Sequence, residues 1–136
     1  MSMKIKKSFE DVRQWQRYQF FGSATVTVPK QKIIVDSTIA NISFSGLGIY
    51  SSKPIGKGKK VNIKISFIDK DGKMQEDNIS GKVYWQKKFQ NMYLTGIIFD
   101  DEPNIINQPK LVEHLSWLID ANKWPQPYKD KRIAML

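Results

Sequence analysis

The sequence contains no cysteine among its 136 residues. That excludes a disulfide scaffold, a thiolate metal site and a cysteine nucleophile. It contains a single histidine, His114, so a zinc site would need carboxylates, and these do not cluster. His114 falls inside a helical pattern, three residues after Leu111, where it reads as a helix-surface or interface residue. No serine stands in a nucleophile-elbow context. The expectation is a binding protein with no catalytic residues, not an enzyme.

Long apolar runs are missing as well. Stretches such as Ile33-Ile34-Val35 fall far short of the about 20 residues that cross a bilayer. The three lysines of residues 1–7 are followed by no apolar segment, so neither a signal peptide nor membrane insertion is expected, and a cytoplasmic location is. Acidic residues are scarce, 13 against 22 basic ones, for a net charge of +9. Such an excess suits an anionic partner, whether nucleic acid, nucleotide, membrane surface or acidic protein, and equally a solvated basic surface.

What is present is mostly β pattern, in a length that favours one domain. Ala24, Val26 and Val28 alternate with Thr25 and Thr27, and Val61, Ile63, Ile65 and Phe67 alternate with polar partners. Ile79, Val83 and Trp85 share one parity, which makes Trp85 a core candidate. Turn-like breaks lie at 29–32, at 54–58 and around Asp71-Gly72. Six strands follow, roughly 23–29, 32–43, 46–51, 60–68, 78–87 and 91–100, and closing them into an antiparallel barrel leaves no exposed edge. A helix follows the strands, with Asn107 as N-cap, Pro109 in its first turn and Leu111, Leu115 and Leu118 on one stripe. Asp69, Asp71 and Asp77 around Gly72 lack the remaining ligands of a calcium loop and read as a solvated hairpin turn.

Two segments carry binding chemistry. Arg13 and Arg17 stand four apart before the first strand, and the guanidinium fork suits phosphate and the Hoogsteen edge of guanine. Arginines at this spacing are also common on helix surfaces. The second segment is Asn41-Ile42-Ser43-Phe44-Ser45-Gly46. If the strand continues, Asn41 and Ser43 project from one face, an amide for a purine edge and a hydroxyl for a phosphate or ring nitrogen. Gly46 permits a turn or a close approach of ligand to backbone. The same composition also suits a tight turn.

Together, the RxxxR pair Arg13–Arg17 and Asn41-x-Ser43-x-x-Gly46 resemble the paired signature of the PilZ family. Leu47-Gly48-Ile49, Gly81-Lys82-Val83-Tyr84-Trp85 and Gly96-Ile97-Ile98-Phe99 are similar to its third, fifth and sixth strands. The resemblance covers Arg13 to Asn122. It implies a bacterial second-messenger receptor, mostly β, a six-stranded antiparallel β-barrel with a C-terminal α-helix, binding cyclic di-GMP as ligand and using no cofactor. Residues 1–12 would be a flexible N-terminal segment, 13–122 the barrel domain and 123–136 an extension.

By the family pattern Arg13 and Arg17 contact phosphate and guanine from a loop that orders on binding, Asn41 and Ser43 read guanine, and Gly46 keeps the surface open. Trp85 offers a stacking face, and Lys87 or Lys88 adds charge to the rim. Val12 stands where some members carry a basic residue that helps hold a stacked ligand pair, which favours a single ligand. The signal would pass to a downstream protein partner. The rival readings are an OB-like single-stranded nucleic-acid binder and a PilZ-fold adaptor that binds no nucleotide.

Overall fold

The alternation in residues 24–28 and 61–67 places Ala24, Val26, Val28, Val61, Ile63, Ile65 and Phe67 in one buried core, each at most 3% exposed. Their polar neighbours face outward, as period-two strands require. In the computed structural model, which describes residues 20–123, the elements are β1 (Gly22–Val28), β2 (Ile33–Ile42), β3 (Gly46–Ser51), β4 (Lys60–Ile68), β5 (Met74–Phe89), β6 (Met92–Phe99) and α1 (Pro109–Lys123). The strands form a closed antiparallel barrel in the order β1-β2-β3-β6-β5-β4, with β1 paired to β4. The expected fold is the one found.

Most strand ends differ from the expected ones by one or two residues, and three differences bear on the site and its support. First, β5 begins at Met74 rather than 78 and runs 16 residues. Its first half pairs with β4 and its second with β6, so one long strand spans the stagger that closes the barrel. The turn before it is therefore tight: Asp69 Oδ1 accepts hydrogen bonds from the amides of Asp71 and Lys73, and Gly72 takes φ 78°.

Second, β2 ends at Ile42 and not at Ser43. Third, Asn107 does not cap the helix. The Val112 amide donates to the Gln108 carbonyl, which puts Gln108 at the cap position, and the Leu111 amide donates to Asp77 Oδ2 at 2.6 Å. A carboxylate 34 residues away serves the orphan amide, which no local pattern reveals.

Because every neighbouring pair is antiparallel, successive strands alternate in direction and alternate connections share an end, the β3–β4 connection crossing the barrel mouth. The β1–β2, β3–β4 and β5–β6 connections lie at one end of the barrel, here the loop end. The β2–β3 and β4–β5 turns, the entry to β1 and the exit from β6 toward α1 lie at the other, the helix end. There α1 buries Leu111 and Leu115 completely in the barrel's own core cluster. Each such side chain stabilises the fold by about 1.5–3 kcal/mol.

Candidate functional site

The outer wall near the helix end carries one continuous row across four strands. Asn41 on β2 pairs with Gly48 on β3, Gly48 with Gly96 on β6, and Gly96 with Trp85 on β5. The neighbouring rungs of β3 and β6, Leu47–Ile97 and Ile49–Thr95, are buried and point inward. The glycine rung therefore points out. It forms a floor with an amide at one side and an indole at the other. A Cβ on Gly48 would lie 3.3 Å from Asn41 Oδ1, and one on Gly96 would lie 2.6 Å from Trp85 Cε2. Both side chains lie down over the glycines beside them. Both glycines are buried beneath these side chains, and the lack of a Cβ at each lets the amide and the indole lie flat against the sheet, a use of strand glycine that outweighs its weak strand propensity.

Two β-bulges create this row. The register shifts between Ile39 and Asn41 and again between Val83 and Trp85, leaving Ala40 and Tyr84 as extra residues. A one-residue shift exchanges the faces of everything beyond it. Hence Trp85 does not join Ile79 and Val83 in the core; it sits half-buried on the outer wall. A small hollow lined by Ser45, Gly46, Tyr84, Trp85, Gly96 and Ile98 joins the indole to the β2–β3 turn.

That turn is a hydrogen-bonded unit. The Ser43 amide donates to the Gly46 carbonyl, Ser43 Oγ accepts from the Ser45 amide at 3.2 Å, and the two serine hydroxyls lie 3.0 Å apart. Ser43 is buried and shapes the turn, so it does not project beside Asn41 as continued alternation would require. Gly46 is needed where β3 crosses β6, because a Cβ there would collide with the Ile97 carbonyl oxygen. The turn is tied to β6 by the Phe99 amide, which donates to the Ser45 carbonyl.

Of the remaining sequence candidates, Arg13, Arg17 and Val12 lie outside the described residues. Lys87 lies two residues beyond Trp85 on the same face of β5, and Lys88 follows it toward the loop end; neither is beside Ser43. Lys88 Nζ lies 5.9 Å from the centre of the Tyr93 ring. The sequence reading missed the floor glycines Gly48 and Gly96. Their signal was present as glycine inside strands otherwise rich in isoleucine, but pairing them requires the β3–β6 register.

His114 belongs to the helix packing and not to this row. Its ring stacks on Phe67 at 4.8 Å and meets Phe20 edge-on at 5.3 Å, while Trp117 lies 5.6 Å away on its own helix. Burial pushes the imidazole below its ordinary pKa, opposed only by the Asp69 carboxylate, and Nδ1 has no hydrogen-bond partner among the described residues. Asp69 itself is held below the usual carboxylate range by hydrogen bonds, first from the Gln75 side chain. Among the described residues no group of His, Asp or Glu has the arrangement of a metal site, and no helix is long and apolar enough to cross a membrane.

Three solved structures share the fold. The Bacillus subtilis inhibitor of motility (MotI/DgrA) matches with a TM-score of 0.63 at 10% identity, over 81% of this chain and 51% of that one. This chain thus spans about half the length of that protein. The PilZ domain of YcgR from Escherichia coli, solved with cyclic di-GMP, matches with a TM-score of 0.56 at 11% identity, over 81% of this chain and 94% of that one. The PilZ domain of CeSA from a cellulose-synthesizing bacterium matches with a TM-score of 0.51 at 12% identity, over 79% and 98%. No curated protein matches the sequence. The PilZ domain family matches residues 11–117, most of the chain and all six strands of the barrel, and the chain belongs to that family.

Proposed function

We propose that this protein is a cyclic di-GMP receptor that orders its N-terminal RxxxR segment on ligand binding and signals through a partner protein. The observation that carries the reading is the row Asn41–Gly48–Gly96–Trp85. It sets an amide able to read a purine edge and an indole able to stack on a base on one outer face, each seated against a glycine of the neighbouring strand. Ser23 pairs with Thr38, so the chain enters β1 beside the last residues of β2. Arg17 precedes Phe20 by three residues, and at up to about 3.6 Å per residue its Cα stays within roughly 11 Å of Phe20.

The division of labour follows from the chemistry. Trp85 and Asn41 hold one guanine against the wall, while the forks of Arg13 and Arg17 meet phosphate and the other faces of the ligand. Ser43 and Gly46 act by fixing the turn that carries the β2 and β3 strand ends. Ordering a free segment costs about 1–2 kcal/mol per residue in backbone entropy, and ligand contacts offset that cost. The ordered segment is then a surface that exists only in the liganded state.

Thermal shift tests this directly. Ligand at 100 times its dissociation constant adds about 2.7 kcal/mol, which raises Tm by several degrees. The full chain responds to cyclic di-GMP, Arg17→Ala does not, and cyclic di-AMP and GTP have little effect. No shift with saturating cyclic di-GMP overturns the reading. Hydrogen exchange over residues 5–20 tests the ordering separately: unchanged protection on saturation would leave a receptor without this switch.

A further inference from the structure

The loop end carries a large excess of lysine, with Asp36 and Asp100 as the acids nearest to it. The β1–β2 turn contributes Lys30 and Lys32. The β3–β4 connection contributes Lys53, Lys57 and Lys59, and Lys60 opens β4. Lys87 and Lys88 end β5. None of residues 29–35, 52–60 or 86–92 is acidic. Most other acids lie elsewhere, chiefly Asp69, Asp71 and Asp77 at the β4–β5 hairpin and Asp101 and Glu102 after β6.

Exposed apolar side chains share the loop end. Phe89 and Met92 face each other across the tip of the β5–β6 hairpin and are 64% and 41% exposed. Ile34, at the start of β2, is 64% exposed, next to Ile33. Both apolar pairs adjoin turns in which a non-glycine residue takes left-handed φ, Lys32 at 54° and Gln90 at 57°. Such positions are uncommon outside glycine. Between the β1–β2 turn and the β3–β4 loop runs an open groove of about 500 Å³. Lys30, Gln31, Lys59 and Lys60 line it, with Asp100 as the one acid at its border.

We infer that the loop end docks on the surface of an anionic phospholipid bilayer, resting on it without spanning it. Its lysines face the headgroups, and Phe89, Met92 and Ile34 enter the interfacial layer. The composition favours lipid over an acidic protein. Protein interfaces are depleted in lysine and enriched in arginine, whereas every basic residue in these loops is lysine. Lysine stems also snorkel, laying their methylenes along apolar surface while the ammonium stays in water. The apolar groups sit on the tips of two hairpins, a convex arrangement suited to a soft interface. This reading stands independently of nucleotide binding, although Lys87 lies two residues beyond Trp85 on the same face of β5.

Vesicle flotation of the full chain tests it. The chain floats with vesicles of phosphatidylglycerol and phosphatidylcholine and not with phosphatidylcholine alone. Each lysine near an anionic surface strengthens binding about fivefold, so Lys30→Glu, Lys57→Glu and Lys88→Glu together weaken it by a hundredfold or more. Lys70→Glu, Lys73→Glu and Lys110→Glu change the net charge equally at the helix end and leave most of the binding intact. Phe89→Ser weakens flotation and Ile105→Ser does not, with unaltered melting temperatures showing that both fold. Absence of flotation overturns the inference. So does equal loss in the two triple variants, which would assign the binding to bulk charge or to the terminal segments. Tighter binding to polyglutamate or to a single-stranded oligonucleotide than to the anionic vesicles also overturns it, in favour of an acidic macromolecule.

Discussion

At the helix end the barrel is sealed: Leu111 and Leu115 are fully buried, Phe20 and Phe67 pack on His114, and Asp77 holds the first turn of α1. At the loop end the cover is thinner. Ile55 is the buried residue of the β3–β4 connection, and Gln86 Oε1 holds that loop by accepting the amides of Ile55 and Gly56 and the Thr95 hydroxyl. Beyond it Phe89, Met92 and Ile34 stand in solvent. The helix end also exposes Phe21, Met74, Ile105 and Ile106, so the two ends differ in how deeply the barrel is plugged and in their lysine content, not in whether apolar side chains reach solvent. Stability should be sensitive to substitution at the first end and surface interactions at the second.

The sharpest way to break that contrast is truncation. Leu111→Ala or Leu115→Ala should cost about 2–5 kcal/mol in denaturant unfolding. Phe89→Ala should stay within about 0.5 kcal/mol. Comparable losses at both sites would mean that the loop end carries core as well.

A smaller effect is expected at the crossing of β3 and β6. Gly46→Ala forces its methyl against a backbone carbonyl and should destabilise by about 1–3 kcal/mol. Gly96→Ala meets only the Trp85 indole, a side chain that can swing away. It should cost less stability than Gly46→Ala while weakening cyclic di-GMP binding and altering Trp85 fluorescence.

Smaller still is the cap. Asp77→Ala leaves the Leu111 amide without its acceptor and should cost about 1 kcal/mol, whereas Asn107→Ala should be nearly silent. Circular dichroism melts of the two variants separate a cap in trans from a local one.

The pH dependence belongs to the same end. Burial depresses the His114 pKa below its ordinary value of 6.5, so the unfolded chain binds the proton more tightly than the folded one. Its effect on stability is absent above pH 6.5 and grows as pH falls below that value toward the folded pKa. Unfolding midpoints should therefore drop on mild acidification, and His114→Phe should flatten that step. A profile unchanged by the substitution would show that the imidazole is not buried as described. The least consequential contact is the ion pair of Lys64 and Glu76 at 3.6 Å, both half-exposed, where Lys64→Ala should cost under about 1 kcal/mol.

Much of this was legible in the chain because alternation is a local property. The strands around Val26 and Ile63 announce their faces within a few residues, and closure follows from the need to hide edges. Asp69 to Gly72 announced a turn in the same way. The site was legible in composition but not in geometry. Trp85 shares parity with Val83, and only the bulge at Tyr84 turns it outward. The same holds for Asn41, whose outward face depends on the bulge at Ala40, and for Gly48 and Gly96, which meet only through a register set by other rungs. Ser43 misled for the opposite reason, because its strand stops one residue earlier and the hydroxyl turns to Ser45. Asp77 as a helix cap required knowing how α1 folds back on β5.

The proposed binding mode sets cyclic di-GMP across the Asn41–Trp85 row near the helix end. Amide and indole NMR shifts of the full chain during titration with cyclic di-GMP test it most directly. Large changes are expected at Asn41, Gly48, Gly96 and the Trp85 indole together with Arg13–Arg17, and little change at Lys88, Phe89 or Met92. Shifts confined to the loop end, or none at saturating ligand, would contradict it.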